Sequence, residues 1–321
     1  MSDVLSRMSG GRRKIDERKG FALLIVIWGL GVIILLMTSF MATARLRLRG
    51  AADNSAAIKT RLIADGAVNL AILGLLAEQK PANPLQMEAV VHDGAPRFCT
   101  LAGAAVAISI EDESGKLDLN AASAALIESA LRGLGAGDPG GLARAIIGFR
   151  ETQASEFARL SAPPPSSDRP FATKHAPFET AFELDQVDGM NPQLLHALLP
   201  VVTVHSHSVG VDARSAPPAL FAALARYPTA DVLALVTSPF PNGLDRRDPR
   251  FPPEYRQNGA GGGTFAIHVE AALSAGAISV EETIVALRPN ERLPFTILET
   301  RRAPARNRDS LLDAGAASPP C

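Results

Sequence analysis

The chain has 321 residues, 47% hydrophobic but only 5% aromatic, so any core must be built mainly from Ala, Leu, Val and Ile, and the length allows two folded units. A net charge of −1 argues against a phosphate-binding surface and hence against nucleic acid as a partner. Only Cys99 and Cys321 are present, and no spacing indicates whether they pair.

In chain order, the first 20 residues carry six Lys or Arg against three acids and end in Arg18-Lys19-Gly20. From Phe21 to Ala44 there is no charged side chain. Such a run rises about 36 Å as a helix, enough to cross a hydrocarbon core of about 30 Å. It is too long for the apolar region of a cleaved signal peptide, and the only processing-like junction, Lys19-Gly20-Phe21, precedes it. The basic leader predicts a cytoplasmic N-terminus and an extracytoplasmic bulk. Beyond the span, Leu46, Ile58, Leu62, Ile63, Leu70, Ile72, Leu73, Leu75 and Leu76 recur at helical steps, so the helix is predicted to continue to about Ala77 before Pro81 and Pro84.

Strands are predicted at Arg97 to Leu101 and Ala104 to Ile110, followed by turn residues from Glu111 to Lys116. Leu117 to Asn120 restores the alternation, and Ser123 then caps a helix carrying Leu126, Ile127, Ala130 and Leu131. Further helices are expected from Leu142 to about Phe149, from Pro192 to Leu199 with Asn191 as cap, and after Thr229, with a short turn near Glu179 to Val187. Ser161 to Pro177 and Ser238 to Gly263 read as loops. Three strands, Thr264 to Leu273, Ile278 to Leu287 and Leu293 to Glu299, suggest an antiparallel meander. From Arg301 onward, the lack of apolar periodicity predicts a disordered tail. Leu119-Asn-Ala-Ala-Ser123 is faintly echoed by Val211-Asp-Ala-Arg-Ser215, each leading into a helix.

Catalytic chemistry finds no motif. Gly135-Ala-Gly-Asp-Pro-Gly140 satisfies G-x-G-x-x-G but follows a predicted helix, which reads as a helix-ending loop. His205-Ser-His207 would put two imidazoles on one side of an extended segment, without an evident third ligand. The Leu184 to Leu199 unit is like half of a helix-hairpin-helix, but Glu183, Asp185 and Asp188 around Gly189 would repel phosphate.

The basic leader, Gly20, Phe21 and uncut helix resemble the class III signal of type IV pilins and type II secretion pseudopilins. Three further segments narrow the resemblance: Ile110-Glu-Asp-Glu-Ser-Gly-Lys-Leu-Asp-Leu-Asn120, Glu183-Leu-Asp-Gln-Val-Asp-Gly-Met-Asn-Pro-Gln-Leu-Leu195 and Val209-Gly-Val-Asp-Ala-Arg-Ser-Ala-Pro-Pro-Ala-Leu220. Each is similar to stretches of the general secretion pathway protein K family of minor pseudopilins. That resemblance implies an α+β fold in which a pilin-like long N-terminal helix, transmembrane in its first half, packs on an antiparallel sheet with an inserted all-helical domain. Its expected divisions are a leader at 1–20, the membrane half at 21–44, head segments at 45–120 and 260–301, the insertion at 121–259 and the tail at 302–321.

It also implies cleavage by prepilin peptidase after Gly20, N-methylation of Phe21, and a non-enzymatic role at the pseudopilus tip. The implied partners are the minor pseudopilins I and J, the major pseudopilin and inner-membrane lipid. Ile25, the fifth mature residue, stands where most pilins carry Glu. The family binds calcium through acids of its insertion. Here that acidic motif is degraded, leaving Glu151, Glu156, Asp185 and Asp188 as candidate donors, with Asp168, Glu179 and Glu183 nearby. The alternatives from the sequence are a minor pilin of a type IV pilus and a signal-anchored periplasmic hydrolase or metal-binding protein.

Overall fold

The computed structural model describes residues 17–78, 92–151, 174–225, 252–257, 263–273, 276–288, 292–314 and 318–321. Two compact units divide at Ile58 and Lys59. Helix α1 runs from Glu17 to Glu78, and its first unit exposes Phe21, Leu23, Leu24, Ile25, Trp28 and the apolar side chains that follow. This helix is long and apolar enough to cross a membrane.

In the second unit, α1 buries Ile63, Ala64, Ala67, Val68, Ala71, Ile72 and Leu75, a stripe at helical spacing. Leu62, Leu70 and Leu73 are exposed. The buried face is therefore richer in Ala than the predicted Leu and Ile pattern, and Ala lets the helix backbone approach the sheet closely. Its partners are Val106, Ile267, Val269, Ala271, Val285 and Leu287.

Those partners belong to a five-stranded antiparallel sheet ordered β1-β2-β5-β6-β7, where β1 is Arg97–Leu101, β2 Ala104–Asp112, β5 Thr264–Ala272, β6 Ile278–Leu287 and β7 Phe295–Arg302. The expected meander β5-β6-β7 is present, with a bulge between Ile284 and Val285. Ala102 and Gly103 turn β1 into β2 with φ of 49° and 81°. A two-residue hairpin with both central residues at positive φ matches the twist of the flanking strands, and Gly supplies one of the two at no steric cost.

Sheet neighbours β2 and β5 are consecutive in space but not in sequence, so everything between Asp112 and Thr264 is an insertion. Its described residues form α2 (Ala124–Gly133), α3 (Pro139–Arg150), α4 (Pro192–Leu198) and α5 (Pro218–Leu224), and a short parallel pair, β3 (Leu117–Asp118) with β4 (Val202–Thr203). Ser123 Oγ accepts from Leu126 N at 3.2 Å and Asn191 Oδ1 from Leu194 N at 2.8 Å, the caps read from the sequence. Helix α3 starts earlier than expected because Asp138 caps it and Pro139 opens it. The insertion has its own core, including Leu126, Ile127, Leu131, Ile146, Phe149, Leu184, Leu198, Leu220 and Phe221. Phe149 and Phe178 stack with centroids 4.6 Å apart.

The expectation of a disordered tail is corrected. Strand β7 extends to Arg302, α6 spans Arg308–Ala314 with Leu311 buried, and Cys321 is disulfide-bonded to Cys99 across 222 residues of sequence. In the chain-entropy view such a loop contributes roughly 5 kcal/mol by restricting the unfolded chain. The expected helix after Thr229, and most of both predicted loops, lie outside the described residues.

Candidate functional site

The alternation of β5 sends Ile267, Val269 and Ala271 to the α1 side of the sheet and His268 and Glu270 to the other. On that second face, Glu111 of β2, His268 and Glu270 of β5, Glu282 of β6 and Glu299 and Arg301 of β7 come together. Lys116 joins them from the loop leaving the 3-10 turn Glu113–Gly115, and Arg306 from the segment after β7.

Charges in this cluster are paired. Lys116 Nζ lies 2.7 Å from Glu113 Oε1 and 2.9 Å from Glu111 Oε2. The Arg306 guanidinium lies 2.6 Å from Glu111 Oε1 and 3.0 Å from Glu282 Oε2, and Arg301 Nε donates to Glu282 Oε1 at 3.0 Å. His268 sits between two carboxylates, its Nε2 3.2 Å from Glu270 Oε1 and its Nδ1 3.5 Å from Glu282 Oε2. Glu270 is fully buried; its Oε1 accepts from Arg306 N at 2.7 Å, Asn307 N at 2.8 Å and Asn307 Nδ2 at 3.1 Å, while Oε2 has no hydrogen-bond partner among the described residues.

Burial alone would lower the Lys116 ammonium, but the charges of Glu113 and Glu111 outweigh it and hold it above its ordinary value. Burial likewise raises Glu282, and hydrogen bonding from His268 with the charges of Arg301 and Lys116 more than reverses it, so this carboxyl is held well below the usual range. Glu111 follows the same balance, lowered by Lys116 and Arg306 against burial. With Glu111 bridged by Lys116 and Arg306 and Glu282 by Arg301 and Arg306, the cluster can clamp elements together.

Apart from His205, which reaches Glu299, the residues singled out from the sequence lie elsewhere. Gly20 and Phe21 fall within the first turns of α1, and the Phe21 and Ile25 side chains are 67% and 52% exposed. Glu151 is exposed at the C-terminal end of α3, and Asp185 and Asp188 are exposed around α4 and the 3-10 turn Ala181–Gln186. Glu183 and Glu179 pair with Lys174, at 2.9 and 3.3 Å. Glu156 and Asp168 lie outside the described residues. Among the described residues no three His, Cys, Asp or Glu side chains are grouped to hold a metal ion, so the described donors do not fit a calcium cage.

Nor do His205 and His207 form a pair of ligands. His205 Nε2 is 3.2 Å from Glu299 Oε2, whereas His207 is exposed with φ of 51° and its backbone N held by Asp118 Oδ2 at 2.8 Å. The left-handed backbone at His207 breaks the extended geometry that would have aligned the two rings. Asp118 is buried and its other oxygen accepts from Asn120 N and Ala121 N, so one carboxylate turns β3 and anchors the irregular segment after β4. The Gly135 to Gly140 segment joins α2 to α3, with Gly135 at φ 84°, as a helix-ending loop.

Sequence reasoning missed Glu113, Lys116, His268, Glu270, Glu282 and Arg306. The available signal was the presence of His268 and Glu270 inside an otherwise mostly apolar, Ala-rich strand.

No family model matches the chain, and no curated protein sequence matches it. Among solved structures, it is similar to a chain in the crystal structure of the GspK-GspI-GspJ complex from the enterotoxigenic Escherichia coli Type 2 Secretion System, with a TM-score of 0.56 at 15% identity, covering 77% of this chain and 96% of that chain. The likeness is one of fold, and it identifies the long N-terminal helix, antiparallel sheet and further helices as a pseudopilin-like α+β architecture.

Proposed function

We propose that the chain is a minor pseudopilin of a type II secretion system, similar to general secretion pathway protein K, and acts as a structural component rather than an enzyme. The carrying observation is the joining, in one chain, of a pseudopilin-like head to an apolar helix that Lys19-Gly20-Phe21 immediately precedes. In this reading α1 is a single-pass anchor in the inner membrane, with the leader cytoplasmic and the head periplasmic. Prepilin peptidase removes residues 1–20 and Phe21 is N-methylated. The head then sits at the pseudopilus tip with the minor pseudopilins I and J above the major pseudopilin, and promotes assembly and export.

Mass spectrometry of the mature protein, purified from cells expressing the secretion genes, tests this. A mature N-terminus at methylated Phe21, with I and J co-purifying, is the expected result. An intact leader, or cleavage beyond Ala44, overturns it.

A further inference from the structure

The C-terminal segment is fastened at two places. The first is polar: Glu270 Oε1 takes the backbone N–H groups of Arg306 and Asn307, and the Arg306 guanidinium bridges Glu111 and Glu282. The second is at β1, where Thr100 N donates to Pro319 O at 2.8 Å, Cys321 N donates to Thr100 O at 3.1 Å, and a disulfide joins Cys99 to Cys321. Strand β1 ends the sheet order and has β2 on one side only, so Pro319 to Cys321 occupy its open side. An unpaired edge is where a strand from elsewhere would add.

A third hydrogen bond, from Thr100 Oγ1 to Pro319 O at 3.4 Å, belongs to the second fastening. Helix α6 buries Leu311 against Ala107 and Ala272, while Asp309, Ser310 and Asp313 are exposed. A helix of seven residues is too short to persist alone. Ordering each of Pro319 to Cys321 costs about 1–2 kcal/mol of backbone conformational entropy, comparable to what hydrogen bonds of about 1 kcal/mol each return. The Cys99–Cys321 bond is the tie in this fastening that a change of redox state makes or breaks.

We propose that Cys99 and Cys321 form a redox latch that closes the β1 edge. Oxidised, the chain's own Pro319 to Cys321 pair with the edge. Reduced, they leave it and expose the N–H and C=O of Thr100, while the polar fastening at Arg306 and Asn307 stays. Closure removes two electrons and two protons from the two thiols; an oxidant carrying a disulfide accepts them by thiol–disulfide exchange and leaves as two thiols, and a dithiol reductant runs the reverse. A head on the oxidising side of a membrane is thereby capped, and one that has not met an oxidant is not. The latch goes beyond the proposed secretion role and is tested without it.

Full-length protein, folded oxidised in detergent micelles, is followed by amide hydrogen exchange before and after dithiothreitol. Peptides covering Phe98 to Leu101 and Ser318 to Cys321 are expected to exchange about tenfold faster or more after reduction, with those covering Ile267 to Glu270 and Thr283 to Ala286 unchanged. Cys321→Ser should reproduce the pattern. Unchanged exchange at β1 after reduction overturns the latch, because the edge then holds without the bond. Faster exchange throughout β5 and β6 also overturns it, because the bond is then a staple of the whole sheet. Reduction acts on protein that has already folded, so a poorly folding variant does not decide the result.

Discussion

Lys116 Nζ lies 2.7 Å from Glu113 Oε1 where both side chains are almost inaccessible to solvent. The pair sits at the point where the chain leaves β2 for the insertion, so it fastens that crossing. Removing one partner leaves a buried charge, and Lys116→Met should cost about 3–5 kcal/mol. Replacing both, in Lys116→Met with Glu113→Leu, should recover most of the loss because no unpaired charge remains. Urea titrations monitored by circular dichroism measure both. A double variant as unstable as the single one would mean that shape, not charge, explains the cost.

Close approach, rather than charge, joins α2 to α5. A Cβ on Gly133 would meet the carbonyl O of Ala223 at 2.2 Å, a backbone atom that cannot swing aside. Gly133→Ala should therefore destabilise by about 1–3 kcal/mol, although Ala is the better helix former. Gly135→Ala meets nothing within 4 Å, but its φ of +84° strains any L residue. Thermal melts of the two variants separate packing from backbone strain: a milder Gly133→Ala would show that the two helices can move apart.

What the sequence reveals here is what short-range chemistry decides. Asn191-Pro192 names a helix start, Ile278 to Leu287 reads as a strand, and both are found where read. The disulfide and the polar face are not legible because they depend on distant partners. Strand β5 alternates apolar with polar residues, a pattern that ordinarily leaves one face to solvent, yet His268 and Glu270 are buried. Arg306 and Asn307, 36 and 37 residues further on, supply the donors that make the burial of Glu270 tolerable. The tail reads as disordered for the same reason. Its few fastenings, Arg306, Leu311 and Cys321, form no local period.

A pH dependence should come from Glu281 on β6. Burial and a hydrogen bond with Asp65 of α1 push its carboxyl up to about 7, with Arg61 opposing. Arg302 is its neighbour in the strand register. The native state then binds more protons than the unfolded one between about pH 4.5 and 7. Stability from this group is complete below the unfolded value and is lost as pH rises through 7. Glu282, held low, acts oppositely, losing its contribution only as pH falls below about 4.5. Melting temperatures of Glu281→Gln between pH 5 and 7.5 should thus be flatter than those of the unaltered chain. Parallel curves would show that Asp65 and Glu281 do not share a proton.

Ile25 offers a test within the membrane-length part of α1. Its side chain is exposed, as expected of a residue facing lipid, and no charge stands between Phe21 and Ala44. A lone carboxylate at membrane depth costs about 2.5–3.5 kcal/mol on insertion scales and is retained only where a partner neutralises it. If the proposed cut falls after Gly20, Ile25 is the fifth mature residue, the position at which most pilins carry a Glu that pairs with the N-terminal amine of a neighbouring subunit. A subunit at the end of a filament has a side with no such neighbour, and an apolar residue there leaves nothing unpaired. Ile25→Glu should accordingly lower the membrane-inserted fraction or tip incorporation, and Ile25→Leu should leave both unchanged. Carbonate extraction reads insertion, and cross-linking of single-Cys variants in the first mature turns to the other pseudopilins reads placement. Full insertion and incorporation of Ile25→Glu would mean that an amine reaches this position, and finding the chain spread along the shaft would refute its placement at the tip.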